Sequence, residues 1–93
     1  MCERKIEKEL VAQVKAMGGI APKFTSPGFD GMPDRLVLLP GGRMGFVELK
    51  APGKKPSALQ LARHRLLRRL GFKVYVIDEI NQIDSVLEEI DHE

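Results

Sequence analysis

Apolar residues recur at helical spacing at the start of the chain. Ile6, Leu10, Val14 and Met17 fall on one arc and Gly18-Gly19 closes it, which predicts a helix over residues 4–17. Residues 20–24 form a short strand candidate that Pro22 marks as an edge, and residues 25–32, with Pro27, Gly28 and Gly31, read as a loop. Two apolar runs, 34–39 and 44–50, meet at Pro40-Gly41-Gly42-Arg43 and predict a hairpin. A second loop over 51–56, rich in proline, glycine and lysine, leads into a helix over 57–70. Its apolar arc is Leu59, Ala62, Leu66 and Leu70, and Gly71 is its C-terminal stop. Residues 72–78 alternate as a strand, and Asn81 is placed to cap a last helix carrying Ile83, Val86, Leu87 and Ile90. The order α-β-β-β-α-β-α implies an α/β fold, a small mixed sheet flanked by helices.

Ninety-three residues with 43% hydrophobic content can bury one core, so a single domain over residues 1–93 is expected. No apolar run reaches the length of a membrane span and no signal-peptide pattern opens the chain, so an intracellular protein without membrane contact is expected. Cys2 is the only cysteine, which excludes an intramolecular disulfide and a cysteine-based zinc cluster. His64 and His92 match no zinc spacing and are expected to be exposed surface histidines. The net charge of +2 hides a division: residues 51–77 hold seven basic side chains and no acid, while residues 78–93 hold seven acids and no base. A single-sign block suggests a polyanion partner. Pairing of the two blocks with each other, or plain solvation, remains the alternative.

The candidate chemistry lies in the hairpin. Along 44–50, side chains alternate between faces, so Met44, Phe46, Glu48 and Lys50 share one face while Gly45, Val47 and Leu49 take the other. Asp34 opens the partner strand, and folding back at Gly41-Gly42 brings it near Glu48, in a register the sequence leaves open. Charges inside otherwise apolar runs need a counter-charge or a metal. Two carboxylates with the Leu49 carbonyl between Glu48 and Lys50 suit Mg²⁺ or Mn²⁺, which take oxygen ligands and keep waters and substrate phosphate. On the first helix, Glu7 falls inside the apolar arc and is read as an active-site acid rather than a salt-bridge partner. Glu3 lies on the same arc one turn earlier and is the alternative. Ser57 and Gln60 fit a capping box, S-x-x-Q. Gln60 also borders the inward arc and suits an active-site hydrogen bond equally well. Arg63 could bind a phosphate or pair with a carboxylate. Leu61 faces outward, as a partner contact or as a scattered surface leucine.

Together Glu7, Gly31-Met32-Pro33-Asp34, Glu48-Leu49-Lys50 and Ser57-x-x-Gln60 resemble the PD-(D/E)XK nuclease superfamily, and within it the VRR-NUC (virus-type replication-repair nuclease) family. The resemblance covers nearly the whole chain and implies a restriction-endonuclease-like fold with metal-dependent hydrolysis of DNA phosphodiester bonds. By that likeness Asp34, Glu48 and the Leu49 carbonyl would hold Mg²⁺, for which Mn²⁺ would substitute, and Lys50 would orient or activate the attacking water. Glu7 would complete the acidic cluster and Gln60 would order the site. The chain is similar to the stand-alone members, which resemble Holliday junction resolvases, enzymes that dimerise so that two sites act on one branched substrate; the likeness implies a homodimer on branched DNA, and a viral member would work in the host cytoplasm.

Lys54, Lys55, Arg63, Arg65 and Arg68 are the candidates for contacts to the DNA backbone, which would make affinity fall with salt. No interleaved aromatic pattern suggests stacking on single strands. A non-catalytic nucleic-acid-binding or scaffold domain on the same fold is the competing expectation. Hydrolysis of a small phosphate ester is a weaker one, since it leaves the basic block unexplained.

Overall fold

A computed structural model describes residues 2–92. Its regular elements are α1 (Glu3–Ala16), β1 (Arg35–Leu39), β2 (Arg43–Leu49), α2 (Ala58–Arg69), β3 (Val74–Ile77) and α3 (Ile83–Ile90), with 3-10 turns at Pro40–Gly42 and Ile80–Gln82. The sheet runs β1-β2-β3; β1 and β2 are antiparallel, while β2 and β3 are parallel and joined through α2.

The period-two pattern of β2 separates two packing layers. Val47 and Leu49 join Ile6, Leu10 and Val14 of α1 and Ile83, Val86, Leu87 and Ile90 of α3 in the larger core. The three α1 residues are fully buried, each contributing roughly 1.5–3 kcal/mol of burial. Gly45 lies on this face because α3 comes so close: a β-carbon there would stand 2.8 Å from Ile90 Cγ1. On the opposite face Phe46 packs with Leu67 and Val74, and its ring meets those of Phe24 and Phe72 edge-on at centroid separations of 5.8 Å. Glu48 therefore points to the α2 side of the sheet.

Three local expectations need correction. Residues 20–24 do not form a strand but touch β1 through two isolated bridges, Ile20 with Leu38 and Lys23 with Arg35. Pro22 is the reason: its carbonyl accepts from Leu36 N at 3.1 Å, but it has no N–H to return, and the ladder breaks there. Asn81 does not cap the last helix. Gln82 secures that turn instead, its Oε1 accepting from the backbone N–H groups of Asp78 (2.9 Å) and Glu79 (3.2 Å). In α2 the buried positions are His64 and Leu67, while Leu59 and Leu70 are 45% and 63% exposed. The helix is thus rotated from the arc its leucines suggest, and His64 is buried rather than at the surface.

Candidate active site

Asp34 and Glu48 reach each other because of the hairpin register. Arg35 pairs with Val47, and continuing that register one step sets Asp34 opposite Glu48. Asp34 lies just before β1, where Gly31 lets the preceding loop approach α2. Gly31 has φ 90°, and a β-carbon there would sit 2.8 Å from Leu59 Cγ and 3.1 Å from Arg63 Cγ. The Asp34 Oδ2 accepts from the backbone N–H of Leu49 at 2.9 Å, clamping the two strand ends together. The site thus opens at the carboxyl end of the parallel β2-β3 pair, where α/β sheets commonly present their ligand sites.

Glu48 is the centre of the arrangement and is 1% exposed. Its Oε2 accepts from Gln60 Nε2 at 3.1 Å and lies 3.5 Å from Lys50 Nζ. Its Oε1 has no hydrogen-bond partner and lies 3.6 Å from His64 Nε2. Burial, reinforced by a hydrogen bond with the Asp34 carboxyl and by its charge, pushes the Glu48 carboxyl up to about 8, against the opposing pull of Lys50. At neutral pH Glu48 is therefore mostly protonated, which lets two carboxyl groups share so small a space.

Gln60 serves both roles that its position suggests. Its Oε1 accepts from Ser57 N at 2.9 Å and its backbone N–H donates to Ser57 Oγ at 3.1 Å, which makes the capping box. The remaining Nε2 is free to donate to Glu48. The start of α2 is thus locked to the sheet through a single amide side chain.

Glu7 stands on the α1 side of the sheet and pairs with Arg35, whose Nη2 lies 2.9 Å and Nε 3.2 Å from its Oε2. Arg35 Nη1 also donates to the Ala21 carbonyl at 2.6 Å. Both Glu7 and Glu3 nevertheless line the same open pocket of about 490 Å³ as Asp34, Leu49, Lys23 and Phe24. Glu7→Gln should lower stability by no more than about 1 kcal/mol, as for other partly exposed ion pairs. Arg35→Met, which orphans the carbonyl of Ala21, should cost about 1–3 kcal/mol in urea unfolding. A cleavage defect in Glu7→Gln larger than its stability loss explains would place the carboxylate in the chemistry; equal losses would leave it as Arg35's partner.

Among the basic candidates, Lys54, Lys55 and Arg65 stand exposed. Arg63 donates from Nε to the Asp30 carbonyl at 2.8 Å and lies 3.9 Å over the ring of Phe29. Arg68 donates from Nη2 to the Val74 carbonyl at 2.9 Å. Each guanidinium has five N–H donors, so neither is exhausted by these bonds. Among the described residues, no side chain of the 51–77 block forms an ion pair with the acidic tail. Leu61 is 42% exposed.

Sequence reasoning missed His64, which is 1% exposed and lies beneath Glu48. The available signal was its position four residues after Gln60, the spacing that puts two side chains on one helix face.

Among the described residues no three acids or histidines are grouped as a metal-binding cluster. The donors present do fit a hard divalent cation: two adjacent carboxyl groups, one with an orphaned oxygen, beside the backbone of Leu49. Mg²⁺ takes one or two protein carboxylates and fills its remaining positions with water and phosphate oxygens.

A small mixed sheet, with α1 and α3 on one face and α2 on the other and polar groups gathered at the end of β2, defines a restriction-endonuclease-like fold. No family model matches the chain. A protein of Acyrthosiphon pisum secondary endosymbiont phage 1, named "Putative nuclease p44", is 53% identical over 85 residues, covering 91% of this chain and 90% of that protein. A solved structure titled "VRR_NUC domain" superposes with a TM-score of 0.86 at 36% identity, covering 92% of this chain and 94% of the other. The chain belongs to the VRR-NUC family of nucleases. No helix among the described residues is long and apolar enough to cross a membrane.

Proposed function

We propose that this chain is a metal-dependent endonuclease that hydrolyses DNA phosphodiester bonds and acts as a homodimer on branched duplex DNA. The observation that carries the reading is Glu48: a fully buried carboxyl held next to Asp34, with one oxygen unpartnered and a lysine at its side. A structural core gains little from an unpartnered buried oxygen, since replacing buried polar groups by apolar ones of similar shape is often neutral or stabilising.

In this reading Asp34, Glu48 and the Leu49 carbonyl hold Mg²⁺, or Mn²⁺ in its place. When bound, the cation supplies Lewis-acid polarisation of a phosphate oxygen and makes water a stronger nucleophile near neutral pH. Lys50 Nζ, beside Glu48 and only part-buried, donates to the attacking water or to the phosphate oxygens as their charge grows. Gln60 holds Glu48 Oε2 in place, and the strand-end clamp from Asp34 to Leu49 N keeps the two carboxyl groups at fixed spacing. Glu7, in the same pocket, adds negative charge at its far wall and is tempered by Arg35.

Lys54 and Lys55, in the loop that follows Lys50, with Arg65 and the spare donors of Arg63 and Arg68, receive the phosphate backbone. Two copies would bring two such sites to one junction, with Leu61 as a contact candidate. The test is cleavage of four-way junctions, flaps, splayed duplexes and linear DNA, with Mg²⁺ and with EDTA, alongside the protein's mass in solution. Cleavage should require Mg²⁺ and favour branched substrates. Lys54→Ala/Lys55→Ala should weaken binding to every substrate alike and flatten the dependence of affinity on salt by a slope of about 2. Metal-independent cleavage, or no cleavage of any DNA by a folded protein, would refute the assignment.

A further inference from the structure

Gln60 and His64, four residues apart on α2, approach Glu48 from the same side, and they divide its two oxygens between them. Gln60 Nε2 donates to Oε2 at 3.1 Å, whereas His64 Nε2 stands 3.6 Å from Oε1, beyond hydrogen-bond length. Neither nitrogen of this imidazole has a hydrogen-bond partner, and neither does Oε1. Buried polar atoms are nearly always satisfied in folded proteins, so an orphaned ring nitrogen facing an orphaned carboxyl oxygen calls for an explanation. Leucine would fill this space without the desolvation penalty.

We propose that His64 is a positioning residue that holds the Glu48 carboxylate for cation binding by donating from Nε2 to Oε1. The proposal rests on the nuclease reading above. A carboxylate whose other oxygen serves a cation would keep Oε1 as a charged acceptor facing the imidazole N–H, and charged acceptors make shorter bonds. The remaining 3.6 Å gap needs only a fraction of an ångström of side-chain movement. A neutral imidazole suits this post better than lysine or arginine would, because it donates without setting a fixed positive charge against the incoming cation.

The experiment compares His64→Leu, His64→Met and His64→Gln in the full chain with the wild type. It measures Mn²⁺ affinity by calorimetry without DNA, urea stability, and cleavage as a function of Mg²⁺. His64→Leu should bind Mn²⁺ about 10–100-fold more weakly, the usual loss when a ligand's supporting partner is removed. It should need correspondingly more Mg²⁺ for half-maximal cleavage, while its stability stays equal to or above wild type. His64→Gln keeps a donor and should recover most of the affinity. Unchanged Mn²⁺ affinity in His64→Leu overturns the proposal. So does loss of folding in both the Leu and Met variants, which would make His64 a packing residue. Failure of the wild type itself to bind Mn²⁺ would instead bring down the nuclease reading, and the positioning role with it.

Discussion

Asp34→Asn and Lys50→Ala should each lower DNA cleavage by about 10²–10³-fold or more while leaving the chain folded, the usual loss when a charge-stabilising group leaves an active site. Asparagine is the informative replacement at position 34. Its amide oxygen can still accept from Leu49 N, a bond of 2.9 Å to a residue that is 2% exposed, while the charge is gone. Alanine would orphan that buried N–H at about 1–3 kcal/mol and confuse a folding defect with a chemical one. Lys50 presents the opposite case. Its ammonium draws Glu48 toward ionisation, so Lys50→Ala both removes a donor and leaves Glu48 harder to ionise. Half-maximal cleavage should therefore also need more Mg²⁺ in Lys50→Ala. Urea unfolding and a cleavage time course over a range of Mg²⁺ measure both effects. Wild-type rates in folded Asp34→Asn would remove Asp34 from the chemistry.

The second large effect concerns pH. Glu48 ionises at about 8 in the folded chain against an ordinary value of 4.5. Below pH 4.5 both folded and unfolded chains carry its proton, and it has no influence on stability. Between 4.5 and 8 the unfolded chain releases the proton and the folded chain keeps it, so stability falls as pH rises, by a few kcal/mol in all, and levels off above 8. Burial and then Asp34 drive the effect, Lys50 opposes it, and His64 faces the orphaned oxygen of the same carboxyl. Glu48→Gln mimics the protonated acid and should abolish this slope, so the variant should be more stable than wild type at pH 8–9 in EDTA. Cation binding requires the ionised carboxylate, so apparent Mg²⁺ affinity should rise about tenfold per pH unit up to pH 8. Saturating Mg²⁺ should then flatten the wild-type curve, because a ligand of the native state alone adds stability. Glu48→Gln should show no Mg²⁺ effect. Melting temperatures of both proteins from pH 5 to 9, with EDTA and with Mg²⁺, make the comparison. Parallel curves for the two would show that Glu48 is not the strained group.

The two effects share one cause. A carboxyl kept buried beside another carboxyl stores electrostatic strain, which a bound divalent cation would relieve. Strain of this kind marks functional sites more often than structural ones, where ordinary packing would remove it.

The hairpin and the meeting of its charged side chains were legible in the chain alone because they are local. Strand alternation places Glu48 and Lys50 on one face, a proline-glycine turn folds Asp34 back, and Ser57 with Gln60 announces a helix start. Each depends on residues within a few positions of one another, or on one short turn. Tertiary structure decided the rest. The leucines of α2 occur on more than one side, so hydrophobic spacing could not say which side meets the sheet; packing on Phe46 and Val74 turned Leu67 inward and carried His64 with it. Glu7 lies within an apolar arc, yet only the path of β1 delivers Arg35 to it from 28 residues away. A side chain's face along its own element follows from backbone geometry, whereas the fate of a buried polar group depends on which distant partner the fold brings to it.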